Sequence, residues 1–90
     1  MKVKKEFILK SVANQYVVVP VGNEAVNFNG MLTLNKTAKL LYEALAVDKT
    51  IEDLVSVLTD TYDISEEYAR RDVLEFIKTL ESKNILEWIL

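Results

Sequence analysis

The sequence predicts an α+β fold, in which an N-terminal antiparallel β-meander of three to four short strands precedes three helices. Residues 7–34 contain runs of β-branched and aromatic residues separated by turn-forming residues, a pattern typical of short strands. From residue 35 onward, apolar residues recur at steps of three and four, which indicates amphipathic helices. Ninety residues suffice for one core, so we expect a single domain over residues 1–90.

The first two strands are predicted to form a hairpin. Residues 7–12 and 16–19 are the strand-like runs, and the short polar stretch at residues 13–15 connects them. Pro20 and Gly22 end the second strand, because proline has no backbone N–H to donate to a sheet.

A third β-like region surrounds the Asn29-Gly30 step. This dipeptide lies between two apolar runs, residues 25–28 and 31–34, and favours a type I′ hairpin turn. The alternative is a bulge in one long strand, since the apolar residues on both sides of Gly30 share one parity. The strand count depends on this choice.

The helices are predicted from their N-caps and their apolar stripes. Asn35, Thr50 and Ser65 are good capping residues, so we expect helices over residues 36–47, 51–63 and 66–83. Asn84 suits a left-handed helix end, and residues 85–90 indicate a short returning strand or docked tail. This arrangement predicts a winged helix-turn-helix-like bundle. Its expected buried stripes consist of Ala38, Leu41, Tyr42, Leu45, Ile51, Leu54, Val55, Leu58, Ala69, Val73, Phe76, Ile77 and Leu80.

Composition points to a binding module and away from an enzyme. The chain has no cysteine and no histidine, so it lacks a thiolate nucleophile, cysteine ligands for a metal cluster, and the commonest general base and metal ligand. Neither a Gly-rich phosphate loop nor a metal-binding motif is present. We therefore expect no catalytic residues, no cofactor and no metal site.

The charge of the chain argues against a nucleic-acid partner, and its hydropathy argues against secretion and membrane insertion. The net charge is −3, whereas nucleic-acid binders usually cluster Lys and Arg against phosphates. The basic cluster at residues 2–5 is expected to be a solvated terminus. Because neither a signal-peptide core nor an eighteen-residue apolar run is present, we expect a cytoplasmic protein without membrane contact.

The free edge of the strand at residues 31–34 is the best candidate binding surface. If this strand pairs with residues 26–28 on one side, its other edge offers unpaired backbone groups without a protecting charge or proline. A mixed stripe on the third helix could form the wall of the site: Tyr68, Arg71, Asp72 and Glu75. The alternatives are an edge covered by the chain itself or by a second copy, and a stripe that is ordinary solvated surface.

Several runs along the chain resemble the PqqD-like family, small peptide chaperones of pyrroloquinoline quinone biosynthesis. The similarity covers residues 16–38 and continues through the three predicted helices. Its most specific part is the Leu34-Asn35-Lys36-Thr37 step from strand into helix. The departures are mild: Tyr42 stands where the family often has tryptophan, residues 47–48 replace a glycine-containing turn, and Asn84 replaces glycine.

The resemblance implies a recognition element for ribosomally synthesised and post-translationally modified peptides (RiPPs). Such a domain binds a precursor's leader peptide as an added strand and presents it to a modifying enzyme, commonly a radical SAM protein. The peptide-binding residues it implies are Gly30, Met31, Leu32, Thr33, Leu34, Tyr68, Arg71, Asp72 and Glu75.

The sequence is also compatible with two other functions. A winged-helix DNA-binding regulator would use the third helix, where Arg70 and Arg71 are interspersed with carboxylates that phosphate would repel. A structural module could instead use the free edge for strand exchange, which gives a homodimer.

Overall fold

The computed structural model describes residues 1–22 and 32–89, and it confirms the predicted α+β architecture. The expected turn or bulge at Asn29-Gly30 lies outside the described residues. The described elements are, in chain order, β1 (Lys2–Val3), β2 (Phe7–Val12), β3 (Gln15–Pro20), β4 (Leu32–Leu34), α1 (Lys36–Ala44), α2 (Ile51–Thr61), α3 (Glu66–Ser82) and β5 (Leu86–Glu87).

The predicted first hairpin is confirmed, with a tighter connection than expected. β2 and β3 pair antiparallel from Phe7 opposite Pro20 to Val12 opposite Gln15. Only Ala13 and Asn14 remain between the strands, and their φ angles are 50° and 67°. Two successive positive φ angles are the signature of a type I′ turn, whose twist matches that of the strands.

Within the described residues, β4 joins β2 and β3 in a three-stranded sheet in the order β2-β3-β4. Tyr16 of β3 lies opposite Leu34, and Val18 lies opposite Leu32. Leu32 and Leu34 are buried while Thr33 is exposed, which is the alternation of a strand with one face on a core. Residues 26–28, the neighbour expected from the sequence, lie outside the described residues, and the strand paired with β4 is β3.

A second, two-stranded sheet joins the first and last elements and corrects the expectation of a solvated basic terminus. Lys2 of β1 pairs with Glu87 of β5, and Val3 pairs with Leu86. The Lys4 ammonium donates a hydrogen bond to the Asn84 side-chain oxygen at 3.0 Å. The returning strand at the C-terminal end is confirmed. The basic residues at the start of the chain are therefore part of the folded domain.

The helices begin where their local signals predict. Asn35, Thr50 and Ser65 each accept a hydrogen bond from the backbone N–H three residues ahead, and Thr50 forms a reciprocal capping box with Asp53. Helix α1 ends at Ala44, three residues earlier than predicted. There the Leu45 carbonyl accepts a hydrogen bond from the β1 strand, from the N–H of Val3 at 3.0 Å. A strand that is distant in sequence thus satisfies a carbonyl that the end of α1 leaves without a helical partner.

Helix α3 ends in the left-handed turn that the sequence predicts. Asn84 has φ 58°, and the Ile85 N–H donates to the Leu80 carbonyl at 3.0 Å. The Asn84 N–H donates to the Glu81 carbonyl, which completes a Schellman motif with asparagine in the place of glycine. This turn sends the chain back toward β1, so that Leu86 can pair with Val3.

One hydrophobic core lies between the sheets and the helices. The apolar stripes expected on the helices converge there, although Ala38 and Ile51 are only partly buried. Tyr42 is a buried residue with a polar tip, and its hydroxyl donates to the Phe7 carbonyl at 3.1 Å. Burial raises the pKa of the Tyr42 phenol to about 12. The hydrogen bond from this neutral phenol thus links α1 to the start of β2.

Candidate peptide-binding site

The edge of β4 opposite β3 is the first component of the candidate site. No strand within residues 1–22 and 32–89 pairs with that edge. Leu32 and Leu34 point into the core, so the strand can offer a ligand its backbone groups and the exposed Thr33 side chain. An edge with these properties is a template for strand addition.

The second component is a groove that begins where β4 ends. Asn35 directly follows the last residue of β4 and caps α1, with its side-chain oxygen 2.8 Å from the Ala38 nitrogen. The groove has a volume of about 290 Å³ and lies between α1 and α3. It is lined by Asn35, Thr37, Ala38, Leu41, Asp72, Glu75, Phe76 and Thr79.

The groove combines apolar and acidic lining residues. Leu41 and Phe76 are buried core residues, with 1% and 9% of their surfaces exposed, and they border the groove from α1 and α3. Asp72 and Glu75 contribute carboxylates one turn apart on α3. No lysine or arginine lines the groove, and within the described part of the chain neither carboxylate forms an ion pair.

The structure brings together some of the residues predicted for the site. Asp72 and Glu75 line the groove, whereas Tyr68 and Arg71 are exposed on α3 and do not line it. Leu32, Thr33 and Leu34 form β4 beside it. Gly30 and Met31 lie outside the described residues. These assignments stay predictions for binding, and the geometry favours Asp72 and Glu75 among the helix residues.

Sequence reasoning missed the apolar part of the groove. Leu41 and Phe76 fall on stripes with helical periodicity, and both were expected only as core residues. Thr37 and Thr79 border the groove one step beside these stripes. Short polar residues next to a core stripe on two facing helices were the available signal. That signal identifies a groove only once the helices are known to face each other.

Arg70 and Arg71, which a DNA-binding regulator would have used, have different surroundings: Arg71 is exposed and Arg70 is partly buried in a contact with α2. The Arg70 guanidinium donates to both carboxylate oxygens of Glu52, at 2.6 and 2.7 Å, and more weakly to Glu66 at 3.4 Å. The hydrogen bond and the charge of Arg70 hold the pKa of Glu52 below its usual range, and the same pairing raises the pKa of Arg70. Arg70 therefore links α3 to α2.

Across the described ranges, no group of three or more histidine, cysteine, aspartate or glutamate residues is placed to hold a metal ion. Of the helices in this part of the chain, none is long and apolar enough to cross a membrane.

Comparison with known families identifies the chain. The sequence profile of the family described as Coenzyme PQQ synthesis protein D (PqqD) matches residues 15–86. The chain belongs to the PqqD family. The PqqD match starts at the first residue of β3 and ends within β5, so it includes β4, the groove and all three helices.

Solved structures support the PqqD-type fold. TbiB1 in complex with the TbiA(beta) leader peptide superposes with a TM-score of 0.78 at 18% identity, over 100% of this chain and 99% of that chain. Lasso peptide synthetase B1, complexed with the leader peptide, gives a TM-score of 0.72 at 20% identity, over 93% of each chain. At these identities the similarity establishes the fold. No match is found among curated protein sequences.

Proposed function

We propose that this PqqD-family protein is a RiPP recognition element, which binds the leader segment of a ribosomally made precursor peptide and presents it to a modifying enzyme. The observation that carries the proposal is the edge of β4, which has a groove at its end. The two structural neighbours, each a complex with a leader peptide, support the same function. The chain itself is proposed to act without catalysis, in the cytoplasm, beside a partner such as a radical SAM enzyme.

The two components of the site have different tasks. Backbone groups of β4 can hold an extended peptide whatever its sequence, because every peptide carries the same N–H and C=O groups. Selectivity must therefore come from side chains, and the groove next to β4 offers them a place. A leader peptide is a suitable ligand because an extended segment can use both components at once.

Backbone N-methylation of the peptide tests strand addition without altering the protein. Leader segments of candidate precursor peptides are titrated against the protein, and for one that binds, a series of peptides that each carry one N-methyl group is titrated as well. We expect affinity to fall by about tenfold at alternate positions, where the N–H bonds to β4, and to change little at the positions between. Equal tolerance at every position, or no binding by any segment, contradicts the proposal.

The competing structural role is tested by sedimentation of the same samples. The proposal requires that peptide binding saturates at one peptide per chain. A dimer that forms through the sheet edge and is indifferent to the peptide would instead support a strand-exchange module.

A further inference from the structure

The groove between α1 and α3 has the chemistry of a receptor for one kind of side chain. Its apolar part, at Ala38 and Phe76, suits aliphatic carbons. Its acidic part, at Asp72 and Glu75, suits a cation that keeps contact with water. Lysine and arginine join these two properties in one side chain, since a chain of methylene groups carries a charged head.

Other side chains fit the groove less well. A glutamate or aspartate would face two like charges at close range, which is unfavourable. A leucine or methionine could contact Ala38 and Phe76 but would remove water from the carboxylates without offering them a donor. A cationic head offsets that desolvation with charge-assisted hydrogen bonds.

Among the described residues, the basic side chains near the groove do not pair with its two carboxylates. Lys39 forms an ion pair with Glu43 at 3.2 Å, and its ammonium lies 4.9 Å from the centre of the Tyr16 ring. Lys36, Arg71 and Lys78, which are close to the groove residues in sequence, are exposed and do not line it. Within residues 1–22 and 32–89, no basic side chain neutralises Asp72 or Glu75.

We propose that the groove receives a lysine or arginine side chain of the bound peptide, with Asp72 and Glu75 as the residues that select it. This inference rests on the proposed function and specifies its ligand: an extended leader segment with a basic residue at one fixed position. Because Asn35 directly follows β4 and lines the groove, that position lies at the end of the segment that pairs with β4.

Selection from a random peptide library tests the inference even when the natural leader has not been identified. The full chain is immobilised, and twelve-residue peptides from an mRNA-display library are selected on it. We expect the enriched peptides to share a strand-like alternation and one position occupied by lysine or arginine. The same selection is repeated on the double variant Asp72→Asn/Glu75→Gln, which retains the groove's shape but lacks its charge.

A matched control separates the groove from the overall charge. The variant Asp60→Asn/Glu67→Gln changes net charge by the same amount at two exposed positions that do not line the groove. It should select the same basic position as the wild type. Thermal unfolding of both double variants verifies that each is folded.

A titration then measures the size of the effect. For the best selected peptide, replacing its basic residue by glutamine should weaken binding to the wild-type chain by about fivefold at low salt, and less at high salt. Replacement by glutamate should weaken binding further. Neither replacement should matter for Asp72→Asn/Glu75→Gln, because the variant has no carboxylates in the groove.

The outcomes distinguish this inference from the proposed function. If the wild-type chain enriches no peptide, strand capture itself is contradicted. If it enriches strand-like peptides without a basic position, or if the basic preference survives Asp72→Asn/Glu75→Gln, the inference is overturned while the proposed function stands.

Discussion

Helix α3 has two sides that use carboxylates in different ways. On the side toward α2, Glu52 and Glu66 surround Arg70, and the bidentate pair with Glu52 links the two helices. On the side toward α1, Asp72 and Glu75 border a groove, and no cation of the described chain is paired with them. Each side thus presents a pair of carboxylates. What distinguishes a helix-linking contact from a candidate ligand-binding surface is whether the fold already supplies the opposite charge.

This difference predicts that mutations on the two sides have different consequences. Changes on the α2 side should alter stability, whereas changes in the groove should alter binding and leave stability nearly constant. Three predictions examine this separation, in order of decreasing effect on folding.

The largest effect is expected in the core beneath α2. Leu58 is fully buried, so Leu58→Ala removes apolar contacts and leaves a cavity. We expect the free energy of unfolding in urea to fall by about 3 kcal/mol. The control is Leu74→Ala, since Leu74 is 47% exposed and its truncation should cost less than about 0.5 kcal/mol. Equal losses from both variants would show that the core does not pack as described.

A smaller, pH-dependent effect is expected for the ion pair of Arg70. Because Arg70 lowers the pKa of Glu52 in the folded state, the pair stabilises the fold above the ordinary glutamate pKa. That contribution is lost as the pH falls through the lowered pKa, where Glu52 becomes protonated. We expect Glu52→Gln to lower the urea midpoint at pH 7 and to flatten its decline below about pH 4.3.

A second carboxylate provides an internal reference for this acid titration. Asp53 also has a lowered pKa, because it accepts the Thr50 backbone hydrogen bond in the capping box, and it contributes a decline of the same sign. The variant Glu52→Gln retains this second decline. An unchanged pH profile in Glu52→Gln would contradict a stabilising role for the Arg70 pair.

The smallest effect on folding is expected in the groove. Asp72→Asn/Glu75→Gln removes two charges that no described cation pairs, so the free energy of unfolding should stay within about 0.5 kcal/mol of the wild type. The measurement is urea unfolding at pH 7, in parallel with peptide binding. A loss of more than about 1 kcal/mol would show that these carboxylates serve the fold, and the contrast between the two sides of α3 would disappear.

Local signals explain why most of the fold is predictable from the sequence. Asn35, Thr50 and Ser65 act within three residues of themselves, and each starts a helix at the expected position. The Asn84 turn is equally local. By contrast, β1 and β5 are two residues long, and their pairing joins Lys2 to Glu87 across almost the entire chain. A two-residue run has no detectable periodicity, so the pairing of these two strands could not be anticipated.

The candidate site was predictable in part for the same reason. The sequence indicated the β4 strand and the acidic pair on α3, because each belongs to one element. The groove itself depends on the distance between α1 and α3, which no pattern within either helix encodes. The sequence pattern therefore identifies Leu41 and Phe76 only as core residues, and their position at the groove depends on the packing of α1 beside α3.

The pairing of β1 with β5 has a consequence for the order of folding. It brings Lys2 beside Glu87, so almost the whole chain must form a loop before this sheet can close. Contacts that are distant in sequence form slowly, because the entropy of loop closure opposes them. We expect the β2-β3 hairpin and the helices to form first, and the sheet of β1 and β5 to close the domain last.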